Sequence, residues 1–154
     1  HTPRASTLAG TSFWTVVGLT AWDAGHWELL KDVDGKIYCT VLIPNTVAVT
    51  PAAGIKLAVA ANATAGITRL SVATNPPADG ESLNPASLTG ETAQDVTVPA
   101  TARLRKDVNF TLTNAPAALD LLIVEIFHEG AHANDTLAVN TEVYGAWLKI
   151  DLTE

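Results

Sequence analysis

Apolar and polar residues alternate along most of this chain, in short runs that turn residues separate. In residues 36–43 every second position is apolar, beginning with Ile37, and the same alternation recurs in residues 55–61 and 108–112. Because successive side chains of a β-strand point to opposite faces, this period of two predicts strands with one buried face. Further β segments are predicted at residues 13–20, 26–30, 67–73, 95–98, 119–128 and 139–152.

Many short strands without intervening helices are typical of an all-β fold. We predict an antiparallel two-sheet β-sandwich of the jelly-roll type, formed by residues 12–154 as a single domain after an extended N-terminal arm, residues 1–11. A tight turn is expected at Asp34–Gly35, and residues 75–94 form the longest predicted loop. The alternation predicts a core made of Ile37, Val41, Ile43, Leu57, Val59, Val96, Val98, Phe110, Leu112, Leu122, Val124, Ile126, Leu148, Ile150 and Leu152.

The last two strands are predicted to be apolar on their second face as well. A half-solvated antiparallel strand is normally polar there, and on the first of these strands only Glu125 interrupts the apolar series. We therefore expect either a contact between subunits or cover from an arm or loop, with simple exposure as the third possibility. The residues concerned are Leu121, Ile123, Phe127, Val143 and Trp147.

Composition excludes several functions. The formal charge of −7 argues against nucleic-acid binding, which needs a basic surface. No apolar run approaches the roughly 20 residues of a membrane-spanning helix. The single cysteine, Cys39, cannot form an internal disulfide and falls in the apolar phase of its strand, so we expect a small, buried hydrophobic side chain.

One motif has the letters of a zinc peptidase. His128, Glu129 and His132 match the H-E-x-x-H pattern, which binds zinc only when a helix places both histidines on one face. Here a β-type run precedes the motif and turn residues follow it, and a third ligand would have to be Glu142 or Glu154. We therefore predict a hairpin with solvated His and Glu side chains, with no catalytic, metal or cofactor site.

The C-terminal hairpin resembles a known family. The strand Asp120–Ile126, a turn with Asp135 and Thr136, and the closing strand Glu142–Leu152 are similar to the C-terminal signature of small jelly-roll virion proteins of tailed bacteriophages. The resemblance is greatest to capsid decoration, or cement, proteins. The order of the remaining segments is also similar, with an aromatic-rich start, an early strand that ends at Pro44 and a long polar loop.

The resemblance implies a structural protein of the virion that is not an enzyme. Such proteins sit on the capsid surface as trimers or other homo-oligomers and stabilise the assembled head by bridging copies of the major capsid protein. In this chain the implied contacts are the arm, with Thr2, Pro3 and Arg4, and the face that bears Ile123, Phe127 and Trp147. The alternative is a tail-fibre or carbohydrate-binding module, which needs exposed Trp or Tyr side chains. A zinc hydrolase is the remote alternative.

Overall fold

The computed structural model describes residues 12–15, 26–43, 53–83, 87–114, 116–117 and 120–149, with the backbone alone for residues 12–15. None of these residues is helical, and the described residues accordingly include no helix with the length and hydropathy needed to cross a bilayer. The described strands are β1 (Ser12–Thr15), β2 (His26–Leu29), β3 (Asp34–Leu42), β4 (Gly54–Ala61), β5 (Ile67–Asn75), β6 (Thr89–Gly90), β7 (Gln94–Thr97), β8 (Lys106–Thr111), β9 (Leu121–Glu129) and β10 (Thr141–Lys149).

The strands form two antiparallel sheets that pack face to face. The first sheet has the order β1-β2-β10-β4-β8, and the second has the order β3-β9-β5-β6, with β7 also pairing with β5. Strands β2, β3, β4 and β5 lie alternately in the first and the second sheet, and β8, β9 and β10 continue this alternation. This order is that of a jelly roll. The predicted fold class is confirmed, whereas the arm at residues 1–11 lies outside the described residues.

The core lies between the sheets and matches the predicted alternation closely. Val41 and Leu148 are partly buried and pack against it, and Ile150 and Leu152 lie outside the described residues. Cys39 is likewise partly buried against the core, and burial raises the pKa of its thiol. The predicted core residues that are buried are Ile37, Ile43, Leu57, Val59, Val96, Val98, Phe110, Leu112, Leu122, Val124 and Ile126.

The prediction for Val143 is wrong. Val143 was expected on the second face of the last strand, beside Trp147, but its side chain is 0 % exposed and belongs to the core. The cause is a register shift of one residue in the pairing of β10 with β4, between Val143 and Gly145. Such a bulge exchanges the two faces of a strand at that point. Val143 therefore points inward, as Ala146 and Leu148 do beyond the bulge.

Two predicted connections differ in detail. The turn before β3 lies at residues 31–33, and Asp34 and Gly35 already belong to the strand. Asp32 adopts a left-handed conformation with φ of 60°, which an Asp side chain tolerates better than most. The loop predicted at residues 75–94 contains the short strand β6, whose Gly90 pairs with Ala73.

Candidate functional site

The residues predicted to form one interface lie in three different places. Leu121, Ile123 and Phe127 alternate on β9 with the core residues Leu122, Val124 and Ile126, so they lie on the outer face of the second sheet. Ile123 is nevertheless buried. Trp147 lies on the outer face of the first sheet, on the opposite side of the sandwich. Val143 is in the core between them. The arm residues Thr2, Pro3 and Arg4 lie outside the described residues.

The outer face of the second sheet carries a buried carboxylate. Glu125 points outward from β9 but is only 8 % exposed, because its neighbours on β3 close over it. The Tyr38 hydroxyl donates a hydrogen bond to its Oε2 at 2.5 Å, and the Lys36 Nζ donates to the same oxygen at 3.0 Å. The Lys36 ammonium also lies 5.1 Å from the centroid of the Phe127 ring. These contacts fix four side chains relative to one another.

The Tyr38 side chain remains accessible within this arrangement. It is 52 % exposed, although its hydroxyl is bound at Glu125. The hydrogen bond to Glu125 is the first cause of a raised pKa of the Tyr38 phenol, and the same carboxylate raises the pKa of Lys36. The structure therefore holds the open aromatic ring of Tyr38 in a defined orientation, with its own hydroxyl bound to the Glu125 carboxylate and the Lys36 ammonium group beside it.

Small side chains lie next to this cluster. On β5, Ser71 is directly opposite Phe127 and Ala73 is directly opposite Glu125, and Gly90 follows in the next strand. Because these residues are short, the sheet surface beside the taller β3 and β9 side chains is low. We call the surface formed by Lys36, Tyr38, Ser71, Ala73, Glu125 and Phe127 the Tyr38 face.

A charged cluster closes one end of the Tyr38 face. The Arg69 guanidinium donates from Nε to Glu129 at 2.7 Å and from Nη1 to Asp95 at 2.5 Å. The hydrogen bond from Arg69 lowers the pKa of the Asp95 carboxyl. Asn134 also donates to Asp95, at 2.8 Å. The cluster therefore joins β5, β7 and β9 and presents fixed acceptors and donors at the surface.

The carboxylates of this surface do not form an acid–base pair for glycoside cleavage. Glu125 and Glu129 are four residues apart on one strand, which separates them by about 13 Å at 3.3 Å per residue. Hydrolytic pairs lie about 5–9.5 Å apart. Asp95 and Glu129 both bind Arg69, whose hydrogen bond lowers the pKa of Asp95, whereas a general acid must be protonated. The arrangement is suited to binding.

The H-E-x-x-H motif is a strand end and a turn, as predicted. His128 is in β9 and is 1 % exposed; its Nε2 lies 2.8 Å from Asp135 Oδ2. Glu129 points outward to Arg69, and His132 is exposed in the following turn, where its Nδ1 accepts a hydrogen bond from the backbone N–H of Asn134. The expectation of solvated side chains is therefore wrong for His128, which points inward because it shares the phase of Ile126.

The outer face of the first sheet has a different character. Trp147 is 47 % exposed, and the Arg105 guanidinium lies 5.3 Å from its ring centroid. On β8, Asp107 binds Lys56 Nζ at 2.7 Å and also accepts hydrogen bonds from Arg105. Trp147 and Tyr38 thus lie on opposite faces of the sandwich and cannot contact one small ligand together.

Lys36 and Tyr38 were not predicted as site residues from the sequence, and Glu125 was predicted only as a break in the apolar series. The alternation of apolar and polar residues does contain information about these three side chains. Lys36 and Tyr38 fall in the outward phase of β3, and a lone carboxylate among apolar outward residues of β9 needs a partner if it is buried. What the sequence lacks is the register that places Tyr38 directly opposite Glu125.

No known protein family matches the chain, and no curated protein is significantly similar to it. Among solved structures, "Family 16 Carbohydrate Binding Module-2" is 14 % identical with a TM-score of 0.45, over 94 % of this chain and 89 % of that one. The module TmCBM61 in complex with β-1,4-galactotriose is 8 % identical with a TM-score of 0.38, over 82 % and 71 %.

Proposed function

We propose that this chain is a non-catalytic carbohydrate-binding domain and that it holds a glycan on the Tyr38 face. The observation that carries the proposal is the exposed Tyr38 ring, fixed by Glu125 beside a low strip of Ser71 and Ala73. Binding sites of this kind combine an aromatic surface with a few polar groups in fixed positions.

The chemistry of a sugar ring matches these groups. One face of a pyranose ring carries C–H groups, which pack against the electron-rich face of an aromatic ring. Its rim carries hydroxyl groups, which donate to carboxylates and accept from ammonium or guanidinium groups. On the Tyr38 face the aromatic ring is flanked by Lys36 and Glu125, and Arg69 and Glu129 lie at one end.

The side chains of the Tyr38 face are held in place before a ligand binds, which favours binding of a ligand that makes few contacts. Ordering a flexible side chain on binding costs about 0.5–1.5 kcal/mol. Tyr38 and Lys36 are already held by Glu125, and Arg69 is held by two carboxylates. Much of this cost is therefore met when the domain folds.

The two exposed aromatic residues provide a matched test. Purified protein is titrated with soluble polysaccharides, such as xylan, galactan, mannan and β-glucan, by affinity electrophoresis and calorimetry. We expect at least one to bind. Tyr38→Ala should weaken that binding about tenfold or more, equivalent to about 1.4 kcal/mol. Trp147→Ala, on the opposite face, should leave the affinity unchanged.

Three results would contradict the proposal. Absence of binding to every polysaccharide would show that the domain does not bind carbohydrates of these classes, and the proposed function would be wrong. Loss of binding in Trp147→Ala but not in Tyr38→Ala would assign the ligand to the first sheet. Equal affinities for both variants and the parent protein would assign it to neither aromatic. Thermal unfolding of each variant shows that a loss of binding is not a loss of fold.

A second candidate is the capsid decoration protein that the sequence resembles. The observation that favours it is an apolar patch beside the Tyr38 face, where Leu42 is 67 % exposed and lies directly opposite Leu121. Exposed apolar side chains in adjacent strands are typical of a contact with another protein. The partners implied by the resemblance, a major capsid protein and further copies of this chain in a trimer on the capsid surface, stay predictions.

Sedimentation distinguishes the two candidates. A decoration protein binds purified, expanded phage heads at a fixed ratio to the shell protein, and Leu42→Ser should lower its occupancy. Tyr38→Ala and Leu42→Ser then separate the functions, because the first change affects a glycan site and the second an apolar contact. Failure to bind heads would leave the carbohydrate proposal alone.

A further inference from the structure

We infer that His26, Glu28 and Glu142 form a binding site for a divalent transition-metal ion. The site lies on the outer face of the first sheet, on the opposite side of the sandwich from the Tyr38 face. The inference is independent of the proposed function. It also differs from the prediction from sequence, which placed no metal site in the chain.

The fold brings these three side chains together from two distant segments. Trp27 and Leu29 of β2 pack toward the core, so His26 and Glu28 point outward on the same strand. Glu142 of β10 is the direct cross-strand partner of Glu28. One ligand atom from each residue lies within 4.8 Å of the others.

His26 is the observation that points to a ligand. Its side chain is 2 % exposed, and among the described residues neither of its ring nitrogens has a hydrogen-bond partner. Buried polar atoms are almost always satisfied, and exceptions indicate a missing partner. The Nε2 atom lies 3.7 Å from Glu28 Oε1, a distance that is too long for a hydrogen bond. The imidazole therefore lies beside both carboxylates without being bound to either.

The two carboxylates need a cation. Like charges directly opposite on neighbouring strands destabilise a sheet, and Glu142 is itself only 4 % exposed. Arg103 offers part of the compensation, but its Nε lies 3.7 Å from Glu142 Oε1. An ion between the two strands would neutralise both carboxylates and satisfy the imidazole.

Neighbouring groups orient the carboxylates. The Tyr144 hydroxyl donates to Glu142 Oε2 at 2.9 Å, and the Asn140 amide donates to Glu28 Oε2 at 3.4 Å. In both residues the other oxygen, Oε1, is the one that lies toward His26 or Arg103. Hydrogen bonds of this kind to the second carboxylate oxygen are typical around metal ligands.

The donor set indicates the class of ion. One imidazole nitrogen and two carboxylate oxygens suit zinc and other first-row divalent ions, which these ligands bind at about 2.0–2.2 Å. Calcium prefers six to eight oxygen ligands, and the site offers an imidazole and two carboxylates. Three protein ligands leave room for water or a ligand group on the ion.

The experiment is a titration of the full chain with zinc chloride by calorimetry after dialysis against a chelator. Cobalt chloride serves as a second probe, because its visible absorption reports the ligand geometry. We expect one ion per chain. Glu28→Gln and Glu142→Gln, which keep the side-chain shape, should each weaken zinc binding by about tenfold or more, and zinc should raise the midpoint of thermal unfolding.

His132→Ala is the matched control. It removes the exposed histidine of the H-E-x-x-H motif and should leave zinc affinity unchanged. Loss of binding in His132→Ala with normal binding in Glu142→Gln would assign the ion to the motif and overturn the inference. An absence of zinc and cobalt binding in the parent protein would also overturn it. Neither result bears on binding at the Tyr38 face.

Discussion

Thr68 and Thr141 join the two sheets inside the core, where their hydroxyl oxygens lie 2.6 Å apart. Thr68 belongs to β5 of the second sheet and Thr141 to β10 of the first, and both are almost fully buried. One hydroxyl donates a hydrogen bond and the other accepts it. The contact is a buried polar link beside a core of apolar side chains.

Replacing one of these residues should therefore destabilise the domain. Thr141→Val keeps the side-chain volume but leaves the Thr68 hydroxyl buried without this partner, which costs about 1–3 kcal/mol. Urea unfolding followed by tryptophan fluorescence measures the loss. The double variant Thr68→Val with Thr141→Val should recover part of it, because no hydroxyl remains unsatisfied. A double variant less stable than the single one by the same amount again would contradict this account.

The Tyr38–Glu125 hydrogen bond makes stability depend on alkaline pH. The pKa of Tyr38 is raised above its ordinary value, first by this hydrogen bond, and the pKa of Lys36 is raised by the same carboxylate. The folded state thus holds these protons more tightly than the unfolded state. The stabilisation is complete below pH 10 or so and is lost as the pH rises through the folded-state pKa values.

The ultraviolet absorbance of tyrosinate measures this titration. Since the chain has two tyrosines, Tyr144→Phe leaves Tyr38 as the single reporter. We expect its midpoint to lie above that of a free phenol and to fall toward it in a variant that also carries Glu125→Gln. A midpoint that does not respond to this change would show that Glu125 is not its cause.

Gly130 should not tolerate a side chain. A Cβ atom there would lie 2.5 Å from the Val33 carbonyl oxygen and 2.8 Å from His128 Cε1. Gly130→Ala should therefore lower the free energy of unfolding by about 1–3 kcal/mol. Gly90→Ala is the control, because a Cβ there meets nothing within 4 Å. Equal stability of the two variants in urea would argue against the close approach of residue 33.

Cys39 should react slowly in the native protein. Burial against the core raises the pKa of its thiol, and the thiolate is the nucleophile. Alkylation by iodoacetamide at neutral pH, followed by mass spectrometry, should be much slower than for a cysteine-containing peptide. The rate should rise to the peptide value when guanidinium unfolds the chain. Rapid alkylation of the folded protein would indicate that β3 opens readily.

The sequence predicted the described strands other than β6, and most of the core, because alternation alone assigns each side chain to a face. It correctly excluded a helix at His128, since β-branched residues precede it and turn residues follow. Cys39 fell in the phase that packs inward. These are local properties, and each can be derived from a window of about ten residues.

The candidate sites could not be predicted in this way. Tyr38 meets Glu125, and Glu28 meets Glu142, through pairings of strands that are about 90 and 110 residues apart in the chain. Alternation does not determine that register. The predicted outward position of Val143 was wrong for a related reason. A bulge depends on the pairing with the partner strand and cannot be recognised in the hydrophobic pattern.

That bulge also determines the effect of a change in the length of the last strand. Removing the single amino acid Tyr144 would restore a regular pleat, and the residues on either side would keep their partners on β4 and their faces, with Val143 inside and Trp147 outside. The contacts of Tyr144 with Glu142 and His26 would be lost. An in-frame loss of one codon here should therefore harm the protein less than the same loss in β9, whose pairing is regular on both sides.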